Sequence, residues 1–503
     1  MEILANLGHG FIQASAPGAL LYCLLGASLG MFIGVLPGLG PLMVMSLLLP
    51  FTFSLDITHS LIMLAGIYYG AQYGGSITSI LLNLPGTASS AVICLDGHPM
   101  AQQGRAGVAL FLTTFASLFG SFFALAFLIL FAQSLASIAL SFTPADYFSM
   151  MLLGLVASAV LAEKSLKKGI LATCLGIILG LVGSDVGTGV ERFTYGFNVL
   201  WNGIEIAGVA MAFFGLSEML RSLGQGERSD ASLFRFTWRS MFPSRKDLRA
   251  FPGAVTRGAA IGSLFGVLPG TGTSISAFVA YLTEKRISRH PETFGNGAIE
   301  GISAPEAANN ATAQSAFIPT LALGVPGDAV MALLMGAMMI QGIQPGPLFM
   351  TQNPELFWTI VASFIIGNLM LIVLNLPLIG IWVRLLMVPQ RYLLPMIFLL
   401  IGIGAYTAQS DPRTILIVTI LGLAAYVLRR LGFPMPPVLL GFVLGPLMEE
   451  HMRRALLLSR GDFGVFLDRP ISAAFLTASL LLLLFTFWQP WRTLRRRRKR
   501  NAA

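Results

Sequence analysis

The sequence predicts an all-α polytopic membrane protein made of two inverted-topology repeats, with re-entrant hairpins and Pro/Gly-interrupted helices. Three observations predict it. Long apolar runs carry no charge. A set of Gly/Pro motifs recurs in the same order in both halves. Basic residues place equivalent loops of the two halves on opposite sides.

The 503 residues are 55% hydrophobic and 11% charged, with a mean hydropathy of +0.77. A soluble chain carries about 25% charged residues. The runs Gly107–Ala145, Leu356–Val383 and Ile471–Trp488 are free of charge, and roughly 20 apolar residues suffice to cross the hydrocarbon core as a helix. The net charge of +9 is concentrated in two places. Arg492 and Arg495–Arg500 form a basic tail, and Arg221–Arg257 holds eight bases against three acids. Such clusters beside membrane spans mark the cytoplasmic side, which accounts for them without nucleic acid. Cys23, Cys94 and Cys174 lie far apart in apolar surroundings, without metal-ligand spacing. No basic region precedes the first apolar run, so no cleaved signal peptide is expected.

The repeat is read from four alignments. Gly34-Val-Leu-Pro-Gly-Leu-Gly40 recurs as Gly266-Val-Leu-Pro-Gly-Thr-Gly272, 232 residues on. Ile77–Gly86, ending Asn-Leu-Pro-Gly, aligns with Ile318–Gly327, ending Gly-Val-Pro-Gly, 241 residues on. Pro144–Tyr147 with Pro389–Tyr392, and Leu175-Gly176 with Leu421-Gly422, continue the series at offsets of 245 and 246. A slowly drifting offset is the mark of a duplicated unit with small insertions.

Charge then sets the topology. Gly258–Leu282 lies between the basic linker and Lys285, Arg286, Arg289 and His290, so it is expected to enter and return as a hairpin. Its counterpart near residues 19–50 has flanks without Lys or Arg and reads as periplasmic. Lys164, Lys167 and Lys168, Arg384 with Arg391, and Arg429 with Arg430 read inside; Gly342–Glu355 and the neutral Asp411–Arg413 turn read outside. Each half then has about five crossings and one hairpin, which inverts the second half. The expected organisation is a periplasmic N-terminal segment 1–18, repeat 1 at 19–222, a basic cytoplasmic linker 223–257, repeat 2 at 258–458, a final span 471–489 and a basic cytoplasmic tail 490–503, with about 11 crossings and two hairpins in all. Pro434–Leu447 is short for a crossing, and Glu449–Arg469 carries mixed charge.

Proline blocks a helix and glycine permits the backbone that follows. Backbone freed in a membrane is tolerated only in protein or beside a wet cavity, and matching interruptions in two halves point to a transporter's site. The candidates follow from this. Around the first pair of breaks they are Gly38, Gly40, Gly270, Thr271, Thr273 and Ser274; around the second, Asn83, Pro85, Gly86, Thr87, Pro326, Gly327 and Asp328. Two polar stretches precede the second breaks, Tyr68–Thr78 and Ala304–Ser315, and contribute Ser76, Thr78, Glu306, Asn309 and Asn310. Their bland reading is helix packing, with small residues for close approach and hydroxyls or amides bonding across helices. Glu306 reads either as a costly intramembrane acid or as a helix N-terminal residue at the interface. Asp328 reads as an N-cap or an ion ligand, and Asp96 as a turn residue at the cytoplasmic end. Na+ is placed at Asn83, Thr271, Asn310 and Asp328, whose oxygens suit a hard cation. The apolar runs contain almost no Lys or Arg, so an anion would be held by backbone N–H groups, helix ends and hydroxyls. The chain lacks a phosphate loop and an HExxH motif. A channel with re-entrant loops and a membrane enzyme stay open as rivals, the latter without a catalytic constellation.

The motifs Gly34–Gly40, Tyr68–Ser76, Leu82–Gly86 and Asp96-Gly-His-Pro-Met-Ala101 resemble the signature of the large membrane subunit of tripartite tricarboxylate transporters, the TctA family. Pro305–Asn310 and Leu323–Gly327 resemble its second half. The resemblance implies a binding-protein-dependent secondary transporter of the bacterial inner membrane, taking up a carboxylate such as citrate with a cation, usually Na+. It also implies two partners, a small four-helix membrane subunit (TctB-like) and a periplasmic substrate-binding protein (TctC-like). No other cofactor is expected.

Overall fold

A computed structural model describes residues 2–36, 40–161, 165–185, 187–223, 238–385, 390–409 and 411–500. The chain is helical almost throughout. Its first half runs α1 (Glu2–Ala14), α2 (Pro17–Val35), α3 (Pro41–Thr52), α4 (Ile57–Leu82), α5 (Cys94–Gln102), α6 (Ala106–Ala139), α7 (Pro144–Leu161) and α8 (Leu166–Gly180). A small β-hairpin pairs Gly183–Ser184 with Glu191–Arg192. Then α9 (Ile206–Ala210) passes through a π-helical turn, Met211–Leu216, into α10 (Ser217–Leu223). After α11 (Trp238–Met241), the second half runs α12 (Arg245–Val267), α13 (Gly272–Ile287), α14 (Ile299–Ser315), a π-helical turn at Pro319–Leu323, α15 (Ala329–Ile340), α16 (Phe349–Gln352), α17 (Pro354–Asn375), α18 (Ile379–Leu385), α19 (Gln390–Gln409), α20 (Pro412–Arg430), α21 (Pro436–Leu458), α22 (Val465–Asp468) and α23 (Pro470–Arg500).

Local sequence explains many of these ends. Prolines occupy the first turns of α2, α3, α17, α20 and α21, where the missing N–H costs nothing. Asp56 caps α4 through the Thr58 and His59 amides, and Ser244 with Asp247 forms a capping box on α12. Among the described residues, five helices are long and apolar enough to cross a membrane: Pro17–Val35, Ala106–Phe131, Ile206–Leu223, Pro354–Asn375 and Pro412–Arg430. Five shorter apolar helices accompany them, including Pro144–Val160 and Pro470–Thr486.

The duplicated motifs occupy matching packing positions. A Cβ on Gly26, Gly30 or Gly34 of α2 would lie 2.2, 2.3 or 2.4 Å from the carbonyl oxygens of Met63, Ile67 and Ala71 on α4. On α12, a Cβ on Gly258, Gly262 or Gly266 would lie 2.2, 2.3 or 2.5 Å from those of Ala304, Ala308 and Thr312 on α14. The glycines are 232 residues apart between halves and their carbonyl partners 241, the two offsets seen in the sequence. Both pairs are small-residue seams that bring two helix backbones into contact. The halves are also laced together. Gly120 of α6 packs on Ala307 of α14, Gly176 of α8 on Val438 of α21, and Gly422 of α20 on Leu216 of the π-helical turn.

The N-terminal segment, to which the sequence assigns no secondary structure, is a helix, α1, whose Gly10 abuts Trp358 of α17. Two sequence expectations change. The mixed-charge stretch after Pro434–Leu447 does not end a short span. Instead α21 continues to Leu458, because Glu449 and Arg453 find Arg192 and Asp185 of the β-hairpin. Asp96 is not in a turn but in α5, fully buried, where its Oδ1 accepts the amides of Gly295, Gly297 and Ala298 at 2.8 Å each.

Candidate functional site

Each half has two helix breaks, and within each half they touch. Leu36 and Leu268 end α2 and α12 alike, in extended backbone with the cap N–H on Ile33 and Phe265. Asn83 and Gly324 end the second segments in the left-handed region, at φ 55° and 68°. In the first half, Gly86 presses on the first break, where a Cβ would sit 2.1 Å from the Gly34 carbonyl. In the second half, the Gly270 N–H (φ 78°) donates to the Gly327 carbonyl at 2.8 Å. The residues after the breaks also correspond. Thr87 Oγ1 accepts the Ser90 N–H at 3.3 Å, and Asp328 accepts the Met331 N–H at 2.9 Å. Asp328 is thus the N-cap of α15.

Between the halves the site is joined by α4 and α6 on one side and by α14 and the N-cap of α15 on the other. The Tyr68 hydroxyl donates to Asp328 Oδ2 at 2.6 Å. One helical stretch along, Ser76 Oγ donates to Glu306 Oε2 at 2.5 Å. Ser117 of α6 donates to Glu306 Oε1 at 2.7 Å, and Asn310 Nδ2 reaches the same oxygen at 3.1 Å and Ser117 Oγ at 2.9 Å. Glu306 lies inside α14 and is fully buried, not at a helix N-terminus. Nearby, Tyr73 bonds Asn368 of α17 at 3.2 Å, and Asn375 bonds Thr114 of α6 at 2.7 Å.

A second set of polar groups is buried with few or no partners. Both side-chain polar atoms of Asn309 make no hydrogen bond, and the Tyr69 hydroxyl and the Gln314 carboxamide face one another with no partner outside that pair. Tyr69 is backed by Phe317 and Phe364, with ring centroids 5.9 and 5.4 Å away. Buried polar groups in native proteins are nearly always satisfied, so these donors and acceptors are suited to a ligand.

The expected residues divide accordingly. Ser76, Glu306 and Asn310 come together; Gly86 meets the first break, and Gly270 meets Gly327, which follows the buried Pro326. Thr78 Oγ1 tethers the Val35 carbonyl at 2.5 Å, and Thr271 Oγ1 closes its own turn on Phe265 at 2.5 Å. Thr273 and Ser274 are half-buried in the first turn of α13. Asn83 and Pro85 are exposed, and Gly40 begins α3 with open space around it. Gly38 lies outside the described residues, as do Lys164, residues 224–237 of the basic linker, and Pro389 of the repeat alignment. Of the four residues expected to hold Na+, Asn310 and Asp328 sit in the two cross-half clusters, while Asn83 and Thr271 sit apart from them.

Sequence reasoning missed Ser117, Tyr69 and Gln314 as site residues and did not pair Tyr68 with Asp328. The tyrosines and Gln314 belong to the polar stretches already singled out, so their clustering was a usable signal. Ser117 stands in an uncharged apolar run with nothing to distinguish it.

The electrostatics are one-sided. Among the described residues, the buried charged side chains are all acids: Asp96, Asp146, Glu218, Asp247, Glu284, Glu306 and Asp328. Asp146, Glu218, Asp247 and Glu284 pair with Arg469, Arg429, Arg105 and Arg257, and Asp96 has its three amides. The two at the centre have only hydroxyls, an amide side chain and cap N–H groups.

Comparison with known proteins agrees with this architecture. The family model described as "Tripartite tricarboxylate transporter TctA family" matches residues 20–440. A protein of Agrobacterium vitis, described as an uncharacterized 52.8 kDa protein in the TAR-I ttuC' 3'region, is 47% identical over 480 residues, 95% of each chain. A second from that organism, described as lying in the TAR-II ttuC' 3'region, is 51% identical over 223 residues, 44% of this chain and 92% of its own. No solved structure matches. The family is a transporter component rather than an enzyme. With its motifs, helix breaks and family match in agreement, the chain belongs to the tripartite tricarboxylate transporter TctA family, whose members form the large membrane subunit of such a transporter.

Proposed function

We propose that the protein is the transport subunit of a binding-protein-dependent, Na+-coupled system that takes up tricarboxylates or related carboxylates by alternating access. The observation that carries the reading is that the buried charged side chains among the described residues are all acids, while Asn309 and the Tyr69–Gln314 pair bury neutral polar groups with no further partner. A carboxylate held by such groups takes hydrogen bonds from neutral donors and needs a co-bound cation to offset its charge. Matching breaks in the two halves support two inverted repeats, one part moving against the other. The partners are a small TctB-like membrane subunit and a periplasmic TctC-like binding protein. The location is the bacterial inner membrane, with the N-terminus periplasmic and the C-terminus cytoplasmic.

The test is uptake of a labelled carboxylate panel into proteoliposomes holding this protein and both partners, with and without an inward Na+ gradient. Saturable uptake that needs the gradient and the binding protein supports the reading. Conductance without saturation would make the protein a channel. Topology is checked by cysteines at Ser288, expected to react from the cytoplasm, and at Ser54, expected to react from the periplasm. Reaction of both from one side would refute the inversion.

A further inference from the structure

Among the described residues, the buried acids follow a rule with one clear exception. Four have an arginine and Asp96 has three backbone amides. Asp328 has a helix N-terminus and the Tyr68 hydroxyl. Glu306 has neither base nor backbone N–H. Its partners are Ser76 Oγ, Ser117 Oγ and the Asn310 carboxamide, from three helices, at 2.5–3.1 Å. An intramembrane carboxylate without counter-charge is costly and is retained for function. Its shell consists of groups that carry oxygens, the ligand type of hard alkali and alkaline-earth cations.

We propose that Glu306, Ser76, Ser117 and Asn310 form the binding site for the coupling Na+, an inference that rests on the transport reading above. The carboxylate supplies the one negative charge that a monovalent ion needs. Ser76 and Ser117 can turn their hydrogens to carbonyls of their own helices, as Ser79 does to Gly75 at 3.0 Å and Thr113 to Ala109 at 2.9 Å. That frees their lone pairs for the ion. Asn310 contributes its amide oxygen by rotating the carboxamide, the amide nitrogen then pointing away. The site joins α4 and α6 of the first half to α14 of the second. Occupancy therefore stabilises one arrangement of the two halves over another, which is what coupling requires. The assignment places Na+ away from Asn83 and Thr271, where the sequence had put two of its ligands.

The experiment is thermal unfolding of the purified full chain in detergent, titrated with NaCl against choline chloride at constant ionic strength. Na+ and Li+ are expected to raise the Tm more than K+ does. Glu306→Gln is expected to weaken the apparent Na+ affinity tenfold or more and Ser117→Ala severalfold, with Asn83→Ala unchanged. Ser117→Ala removes one hydroxyl and keeps the hypothesis testable if Glu306→Gln fails to fold. An equal Na+ response in all variants overturns the site, and so does stabilisation by acid that ignores Na+. Uptake separates the two readings. Na+-driven uptake with unaltered Na+ dependence in Ser117→Ala refutes the site alone, whereas Na+ binding lost in the variants without any carboxylate uptake by the wild type refutes the transport reading alone.

Discussion

The glycine seams give a prediction whose sign is set by geometry. Gly30→Ala would place a methyl carbon 2.3 Å from the Ile67 carbonyl oxygen, and Gly262→Ala one at 2.3 Å from that of Ala308. Ordinary contact begins at 3.4 Å, so each pair of helices must part by about 1.1 Å locally. The obstacle is backbone on both sides, with no side chain to swing away. Overpacking of this kind costs roughly 1–3 kcal/mol, more where nothing can yield. Alanine recovers at most about 1 kcal/mol of helix propensity. The expected result is a net loss of about 1–2 kcal/mol for each variant, read as a lowered Tm in detergent. Gly402→Ala in α19 is the control. Nothing lies within 4 Å of its added methyl, so it is expected to leave the Tm unchanged or raise it. If Gly30→Ala and Gly262→Ala are as well tolerated as Gly402→Ala, the backbone seams are not tight and the equivalence of the two halves loses its physical basis.

Three further outcomes follow from single contacts. Tyr68→Phe removes the hydroxyl on Asp328 and is expected to cost about 1.5–3 kcal/mol, the range for a hydrogen bond to a charged group; a double-mutant cycle with Asp328→Asn should show coupling of about 0.5 kcal/mol or more. Asp96→Ala strands three amides and is expected to cost about 3 kcal/mol or more, while Asp96→Asn keeps an acceptor and is milder, both read by thermal unfolding. Glu205, at the N-cap of α9, is pushed by burial from 4.5 up to about 7, with Gln409 opposing. Its folded form holds the proton more tightly than the unfolded form, so its contribution to stability is present below pH 4.5 and lost as the pH rises through 7; Glu205→Gln should raise the Tm at pH 8 and lose that advantage by pH 5.

Most of the fold was legible because membranes simplify the reading. Uncharged runs give helices, and Gly/Pro motifs interrupt them because neither backbone nor side chain offers an alternative in hydrocarbon. The seam glycines Gly34 and Gly266 were legible because each opens a recurring motif, and a side chain at either would meet the backbone of the facing helix. What escaped were features set by partners distant in the chain. Asp96 looked like a turn residue because Gly97 and Pro99 follow it; its three amide partners lie about 200 residues away. The continuation of α21 beyond Leu447 depends on Asp185 and Arg192, whose pairing is invisible locally. At the site, Glu306 was legible because a carboxylate in an apolar region is conspicuous, and Ser117 was not, because one serine in an apolar helix is ordinary.

The lacing of the halves has a consequence for how the chain is made. Gly120 needs Ala307, Ser76 needs Glu306, and Tyr68 needs Asp328. From Gly120 to Asp328 is 208 residues, and synthesis proceeds at about 5–20 residues per second. For roughly 10–40 s after its helices are made, the first half therefore sits in the membrane with its polar face uncovered. During that interval it depends on whatever the insertion machinery or neighbouring subunits offer to those hydroxyls, and the second half arrives as its completing partner rather than as an independent domain.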